Sequence, residues 1–401
     1  MKRLKNNLVQ LQAGVTLVEL MVAVVIGLVV VLAATNVLVI GESHKRTTAG
    51  NNDSSQSGSF TAYTLDRVVR SAASGFGQAW NQGVFGCNLS VSRVIGGAAT
   101  TVLPRAGAFP APFQGFLGGA GNTLRLAPVL IGQGQSAGNS DVLMVMSGNG
   151  GSGDITRPIR SGVAGTDNLR LDNTIGIANG DIGLVTQPGF TDCLIEQVSA
   201  PTPATLATAG NEVLPLGGDY LNTAGGTLAT LAASGTAFFS TLGNVDAGNV
   251  QFQLFGVDTN RTLVAYDLLR SGASAATSVD PIQPLADGVA ELHAIYGLDT
   301  TLPHDNIVDS WVAPTGAWSA ASVLADPTKM RQIIAVRIAI VMRGSNYEKE
   351  EVTLQRPILF GGTPGELPAV VYSAGADNRH FRLRVIDTTI PLRNMLLLPA
   401  S

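Results

Sequence analysis

Charge is scarce in this 401-residue chain: Asp, Glu, Lys and Arg together make up 13% of it and leave a net charge of −4. So thin and slightly acidic a complement lacks the electrostatic footprint of a nucleic-acid binder. Aromatic residues are sparse as well, at 5%. The four histidines, His44, His293, His304 and His380, lie too far apart to share a ligand spacing, which leaves no basis for a metal or other cofactor. Only two cysteines occur, Cys87 and Cys193, which excludes a cysteine-rich scaffold but allows one bridge. In an oxidising compartment the pair would close a loop of about 100 residues and contribute on the order of 4–5 kcal/mol in the chain-entropy model. The alternative is two buried thiols. No segment recurs with a period of about 20–50 residues, so a repeat array is excluded too.

Apparent catalytic motifs lack their contexts. Gly134-Gln135-Ser136-Ala137-Gly138 has the G-x-S-x-G pattern, but residues 141–146 read as a strand where a nucleophile elbow needs a helix. Residues 148–153 have the G-x-G-x-x-G pattern, but Pro158 and Gly162 stand where the phosphate-binding helix would lie. Asp299, Asp305, Asn306 and Asp309 make an oxygen-rich loop without the alternation and terminal Glu of a calcium-binding EF hand, so a solvated loop is expected. Arg379, His380, Arg382 and Arg384 make a basic stretch that reads as an exposed strand face. Nothing in these patterns points to an enzyme.

What the chain has instead is one long apolar run. Residues 15–40 are 26 positions of mostly Val, Leu, Ile, Ala and Met. As a helix they would reach about 39 Å, enough to cross a bilayer core of ~30 Å with some tilt. Glu19 interrupts the run. A carboxylate at a bilayer centre costs roughly 2.5–3.5 kcal/mol, less near an interface, and Glu19 lies about 6 Å inside the apolar boundary. An ionisable residue there implies a partner. The head of the chain carries Lys2, Arg3 and Lys5 and no acid, which keeps this end cytoplasmic and exports the rest. Ala13-Gly14 precedes the apolar run rather than following it, so a cut at Gly14 would remove the charged head and keep the span, the reverse of secretory processing. It would also take the net charge from −4 to −7.

Downstream the composition changes. Residues 41–59 are polar and rich in turn formers, and read as a solvated continuation of the helix or as a flexible break. Residues 60–73 return to helical spacing, with Phe60, Tyr63, Thr64, Val68 and Ala72 as the expected stripe. From residue 84 the signals are strands: 123–130, 141–147, 181–186, 194–198, 250–257, 262–268, 289–296, 333–342, 351–354 and 381–385. The stretches 89–121 and 199–243 read as long loops, the second with too few large apolar residues for a core of its own.

The string from Gly14 to Val31, G-VTLVELMVAVVIGLVVV, resembles the leader junction and first helix of type IV pilins and type II secretion pseudopilins. Further pieces narrow the resemblance to the PilW family of minor pilins: LDRVVRSAASGFGQ and VFGC near Cys87, GFTDCLIEQVSA around Cys193, DGVAELHAIYGLDT from Asp287, MRQIIAVRIAIVMRG from Met330, and Leu392-Arg393-Asn394. That family usually begins its mature chain with Phe or Met, whereas Val15 stands here, and the Pro many pilins carry about twenty residues into the helix is missing. The resemblance implies an α+β, pilin-like fold: a long N-terminal hydrophobic helix followed by a β-sheet-rich globular domain with long loops. Its implied divisions are a leader at 1–14, a transmembrane and assembly helix at 15–40, a linker and second helix half at 41–83, and an exported domain at 84–401. It also implies prepilin-peptidase cleavage between Gly14 and Val15, N-methylation of Val15, and pairing of Glu19 with the amine of a neighbouring subunit. The implied partners are other minor and major pilins, the prepilin peptidase and the inner-membrane assembly platform. The location implied is the inner membrane, N-terminus inside, then the pilus at the cell surface. A type II secretion pseudopilin and a membrane-tethered adhesin are the rival readings.

Overall fold

The computed structural model describes residues 14–105, 107–118, 124–150, 154–160, 167–199, 212–221, 225–270, 282–354, 357–361, 370–371 and 376–399. The expected leader up to residue 13, the end of the Gly-rich motif at 151–153 and much of the 199–243 tract lie outside them. The chain divides into two units, Met1–Asp53 and Ser54–Ser401.

Helix α1 runs from Leu17 to Arg70. The polar stretch 41–59 is helical throughout, with an ion pair one turn apart between Glu42 and Arg46 at 3.3 Å. In the second unit, α1 buries only part of the expected stripe: its Val68 and Ala72 face the core, while its start at Phe60 and Tyr63 faces outward. Phe60 and Tyr63 are 55% and 66% exposed, while Thr61, Leu65, Val68, Val69 and Ala72 are buried. Spacing alone allows either face of this helix, and the sheets beneath it choose. Gly58 lies where a Cβ would stand 2.9 Å from Met342 Cγ, so only glycine lets the helix approach this closely.

Among the described residues, α1 is followed by β1 (Asn88–Ile95), β2 (Ala98–Leu103), β3 (Val129–Gly132), β4 (Val142–Gly148) and β5 (Thr156–Pro158). Next come β6 (Asn168–Leu171), β7 (Asp181–Thr186), β8 (Asp192–Gln197), β9 (Glu212–Pro215), β10 (Tyr220–Leu221), helix α2 (Gly225–Ser234) and β11 (Phe238–Asn244). The remainder holds β12 (Val250–Val257), β13 (Thr262–Asp267), β14 (Ile282–Asp287), β15 (Val289–Leu298), β16 (Ser310–Val312), helices α3 (Ala320–Leu324) and α4 (Pro327–Gln332), β17 (Ile333–Arg343), β18 (Ile358–Leu359), β19 (Val370–Val371), β20 (Leu383–Pro391) and helix α5 (Arg393–Leu396).

Three larger sheets organise most of these strands, and β6-β9 and β18-β19 make two further two-stranded ones. A seven-stranded sheet has the order β10-β1-β8-β7-β11-β5 with β2 attached to β1; a five-stranded sheet runs β14-β13-β12-β4-β3; a four-stranded sheet runs β16-β15-β17-β20. The last two are antiparallel throughout. In the first, β1 and β8 pair in parallel, with Leu89 opposite Cys193. No tight turn can set the register of a parallel pair this far apart in sequence. A disulfide between Cys87 and Cys193, 106 residues apart, closes over the start of that pair.

Several expected strands match their observed spans closely, and the differences have local causes. Residues 89–121 are not simply a loop: Gly96 and Gly97, both at positive φ, make the two-residue turn of a β1–β2 hairpin. Residues 351–354 form no ladder; the Val352 and Thr353 amides both donate to the Arg379 carbonyl. The 199–243 tract supplies α2, β11 and part of a second apolar cluster, in which Leu214, Leu228, Leu231 and Phe239 pack with Ile159, Leu169 and Val185. Half of that cluster comes from outside the tract, so the tract's own composition could not reveal it.

The C-terminus returns to the end of α1. Asn394 Nδ2 donates to the carbonyls of Ser71 and Ala72, at 3.1 and 2.9 Å, just past the last turn of the helix, where the Ser71 carbonyl also accepts the Ser74 amide at 3.0 Å. Asn394→Ala should therefore destabilise the fold by about 1–3 kcal/mol, read as a lower thermal midpoint by circular dichroism, whereas Ala at the exposed Arg393 should leave it unchanged.

Candidate functional site

Helix α1 begins on a capping signal that is legible in the sequence but easily passed over. Thr16-x-x-Glu19 has the capping-box spacing, and Thr16 Oγ1 accepts the Glu19 amide at 3.3 Å. Glu19 thus sits in the first turn, where the helix dipole favours a negative charge. Its carboxylate is exposed and has no hydrogen-bond or ion-pair partner among the described residues. Every large apolar side chain from Val15 to Ile40 is more than half exposed, all round the helix. The helix is long and apolar enough to cross a membrane. At roughly 1.5–3 kcal/mol per large apolar side chain kept from water, such a surface requires lipid or other helices around it. Gly14 and Val15 precede the helix in an irregular, exposed segment, and a Cβ on Gly14 would meet nothing within 4 Å. Among the described residues nothing requires glycine there.

In the second unit, titratable groups concentrate at the junction of the five- and four-stranded sheets. Asp141, just before β4, accepts the Gly134 amide on Oδ1 and the Ala294 amide on Oδ2, both at 2.9 Å. Its own amide donates to the Leu292 carbonyl at 2.7 Å, and Ser140 Oγ accepts the Leu292 amide at 3.3 Å. Residues 140–141 therefore act as a short strand against β15. Tyr296 adds a second tie, its hydroxyl accepting the Ile131 amide at 2.6 Å. His293 is buried between two carboxylates, Nε2 at 3.0 Å from Glu291 Oε2 and Nδ1 at 3.5 Å from Asp141 Oδ1. Burial pushes the imidazole pKa down, but the hydrogen bonds and charges of Asp141 and Glu291 outweigh it and raise it to about 9. The carboxylates sit on opposite ring nitrogens and do not converge on a point, an arrangement that holds a proton rather than a metal. The scattered positions of the histidines in the sequence concealed this cluster, since its three members come from two sheets.

The remaining motifs are absorbed by structure. Ser136 Oγ donates to the Val257 carbonyl and accepts its amide, at 2.7 and 2.8 Å, so the G-x-S-x-G serine ties a loop to β12. Strand β5, not a helix, follows the Gly-rich motif. In the acidic loop Asp309 Oδ2 accepts from the amides and hydroxyls of Thr300 and Thr301, at 2.7–3.1 Å, and Asp299 Oδ2 accepts the Asn306 amide at 2.8 Å. These oxygens are spent on the loop itself, while the other oxygen of the buried Asp299 lies 3.3 Å from His304 Nδ1. The basic stretch is matched by acids: Arg382 binds Glu348 at 2.6 and 3.3 Å, and Arg379 lies 3.6 Å from Glu351.

Comparison with known proteins places two segments. The family model described as Type IV Pilus-assembly protein W matches residues 254–394, and the model of the prokaryotic N-terminal methylation motif matches residues 10–35. No curated protein and no solved structure matches the chain.

His293 holds its proton more tightly folded than unfolded. The proton's contribution to stability is therefore complete below pH ~6.5 and is lost as the pH rises through about 9. Denaturant unfolding of wild type and His293→Gln should show a stability gap on the order of 3 kcal/mol near pH 6 that narrows steadily up to pH ~9.5. A gap independent of pH would contradict the charge assignment.

Proposed function

We propose that this chain, a PilW-like type IV minor pilin, is made as a leader-bearing precursor and acts in pilus assembly, as part of a complex at the tip that primes the fibre. Residues 1–14 serve as the leader, 15–40 as the membrane and assembly helix, 41–83 as its continuation towards the globular part, and 84–401 as the exported domain. Four steps follow from the chemistry of the N-terminus. The apolar helix inserts with Lys2, Arg3 and Lys5 held in the cytoplasm. Prepilin peptidase cuts after Gly14, whose openness and lack of any folding role suit a glycine kept for recognition. The new amine of Val15 is methylated. Glu19 then pairs with the amine of a neighbouring pilin as helices pack side by side, drawing partners from other minor and major pilins and the inner-membrane platform.

The observation that carries this reading is Glu19: a carboxylate without a partner among the described residues, one turn into the exposed apolar part of α1. Two opposite charges buried among apolar helices are each costly alone and compensated when paired. The pairing makes side-by-side docking selective for processed subunits, because an uncleaved precursor has no amine at that depth. The match to the pilus-assembly family over 254–394 supports a structural part in a pilus and favours a pilus over a secretion system.

Mass spectrometry of the chain purified from its native membrane should find N-methylated Val15 at the N-terminus. Glu19→Ala should leave membrane insertion and cleavage intact yet reduce its recovery in sheared pili at least tenfold. Equal recovery of mutant and wild type would rule out the pairing step.

A further inference from the structure

We propose that a cavity formed by the turn before β4, the β12–β13 turn, β15 and the turn before β20 binds a free α-amino acid as its zwitterion. The cavity is about 310 Å³ and is lined by Asp258, Thr259, Arg261, Glu291 and Asn378, with small residues at 137, 138 and 290 making up the rest of the wall. That places it at the small end of ligand-binding pockets. Its walls are fixed before any ligand arrives. Ser136 is bonded to Val257; Asp258 Oδ1 accepts the amides of Asn260 and Thr262 at 2.9 and 2.8 Å; Arg343 Nη1 donates to Asn378 Oδ1 at 3.0 Å.

The lining carries both signs of charge. Glu291 is only 4% exposed, and its Oε2 is occupied by His293. Its Oε1 makes no hydrogen bond among the described residues, which leaves one oxygen of this carboxylate, on the cavity lining, to receive an ammonium. Arg261 supplies the opposite charge. No acceptor or carboxylate among the described residues engages its guanidinium, although its backbone is firmly held, its amide donating to the Asp258 carbonyl at 3.1 Å and its carbonyl accepting the Val289 amide at 2.9 Å. Arg261 also sits in the left-handed region at φ 65, which disfavours a long side chain. Backbone strain of this kind concentrates where a side chain is held for binding. A lone cation would be opposed by Arg261, and a lone anion by Glu291 and Asp258. A molecule carrying an ammonium and a carboxylate on neighbouring atoms satisfies both, the carboxylate taking charge-assisted bonds from the guanidinium.

The experiment uses the full chain in lipid nanodiscs, titrated by calorimetry with each proteinogenic amino acid and, as controls, with methylamine and acetate. At least one amino acid should bind saturably, with methylamine and acetate at least tenfold weaker. Arg261→Gln, a change at the cavity rim, should weaken that binding at least tenfold, and Glu291→Gln should do the same where it folds. Three outcomes would overturn the proposal: no saturable binding by any amino acid up to about 10 mM, methylamine binding as well as the best amino acid, or unchanged affinity in Arg261→Gln. Because the readout is binding to the unassembled chain, it stands or falls separately from pilus assembly.

Discussion

One carboxylate at the meeting of two sheets sets the terms for the second unit. Asp141 takes an amide from the loop before it and another from β15, and its own amide completes a strand-like contact that no ladder provides. Buried amides left without acceptors would each cost about 1–3 kcal/mol, so removing this group would expose the seam to several such penalties at once. An anion in that position needs compensation in turn. His293 supplies it while leaning on Glu291 from the other side, so the seam is held by a shared proton between two acids. The β12–β13 turn and the turn before β20 then converge on the outer face of Glu291. The cavity is thus a by-product of how the sheets are joined.

A second constraint governs the N-terminal helix. Its large apolar side chains up to Ile40 are covered by no apolar surface among the described residues, so their surroundings must come from outside the chain. Within Ser54–Ser401 the opposite holds. The last turns of α1 bury Leu65, Val69 and Ala72 completely, Gly58 admits the helix against β17, and Asn394 closes its end. The matched pilus-assembly region, 254–394, begins inside β12 and stops on Asn394. It therefore contains the whole four-stranded sheet and ends on the residue that secures the helix. The seven-stranded sheet, its disulfide and the small cluster around α2 lie outside it.

Legibility in the sequence followed the range of the forces involved. The membrane-length helix, the Thr16–Glu19 cap and strands such as β7 and β12 are written in contiguous residues, because hydrophobic runs, capping spacings and period-two patterns are local. The β1–β2 hairpin was also local, marked by Gly96-Gly97, but the surrounding Gly, Ala and Thr disguised it. The α2 cluster was not, since Leu228 and Leu231 are too few by themselves and complete a core only with Ile159 and Leu169. The stripe on α1 held at Val68 and Ala72 but not at its start, for a related reason: Phe60 and Tyr63 satisfy helical spacing, but which face is buried depends on β17 and β20.

From residues alone came the apolar helix with its single early acid, the basic head, the two cysteines able to pair and a β-rich remainder, since each is a property of composition or near-neighbour spacing. Tertiary structure alone decided that Asp141 meets His293 across about 150 residues, that Asn394 caps a helix ending at Arg70, and that Glu348 and Glu351 pair with Arg382 and Arg379. Hydrogen bonds and ion pairs act only within a few ångströms, and no pattern along the chain records which distant residues folding will bring that close.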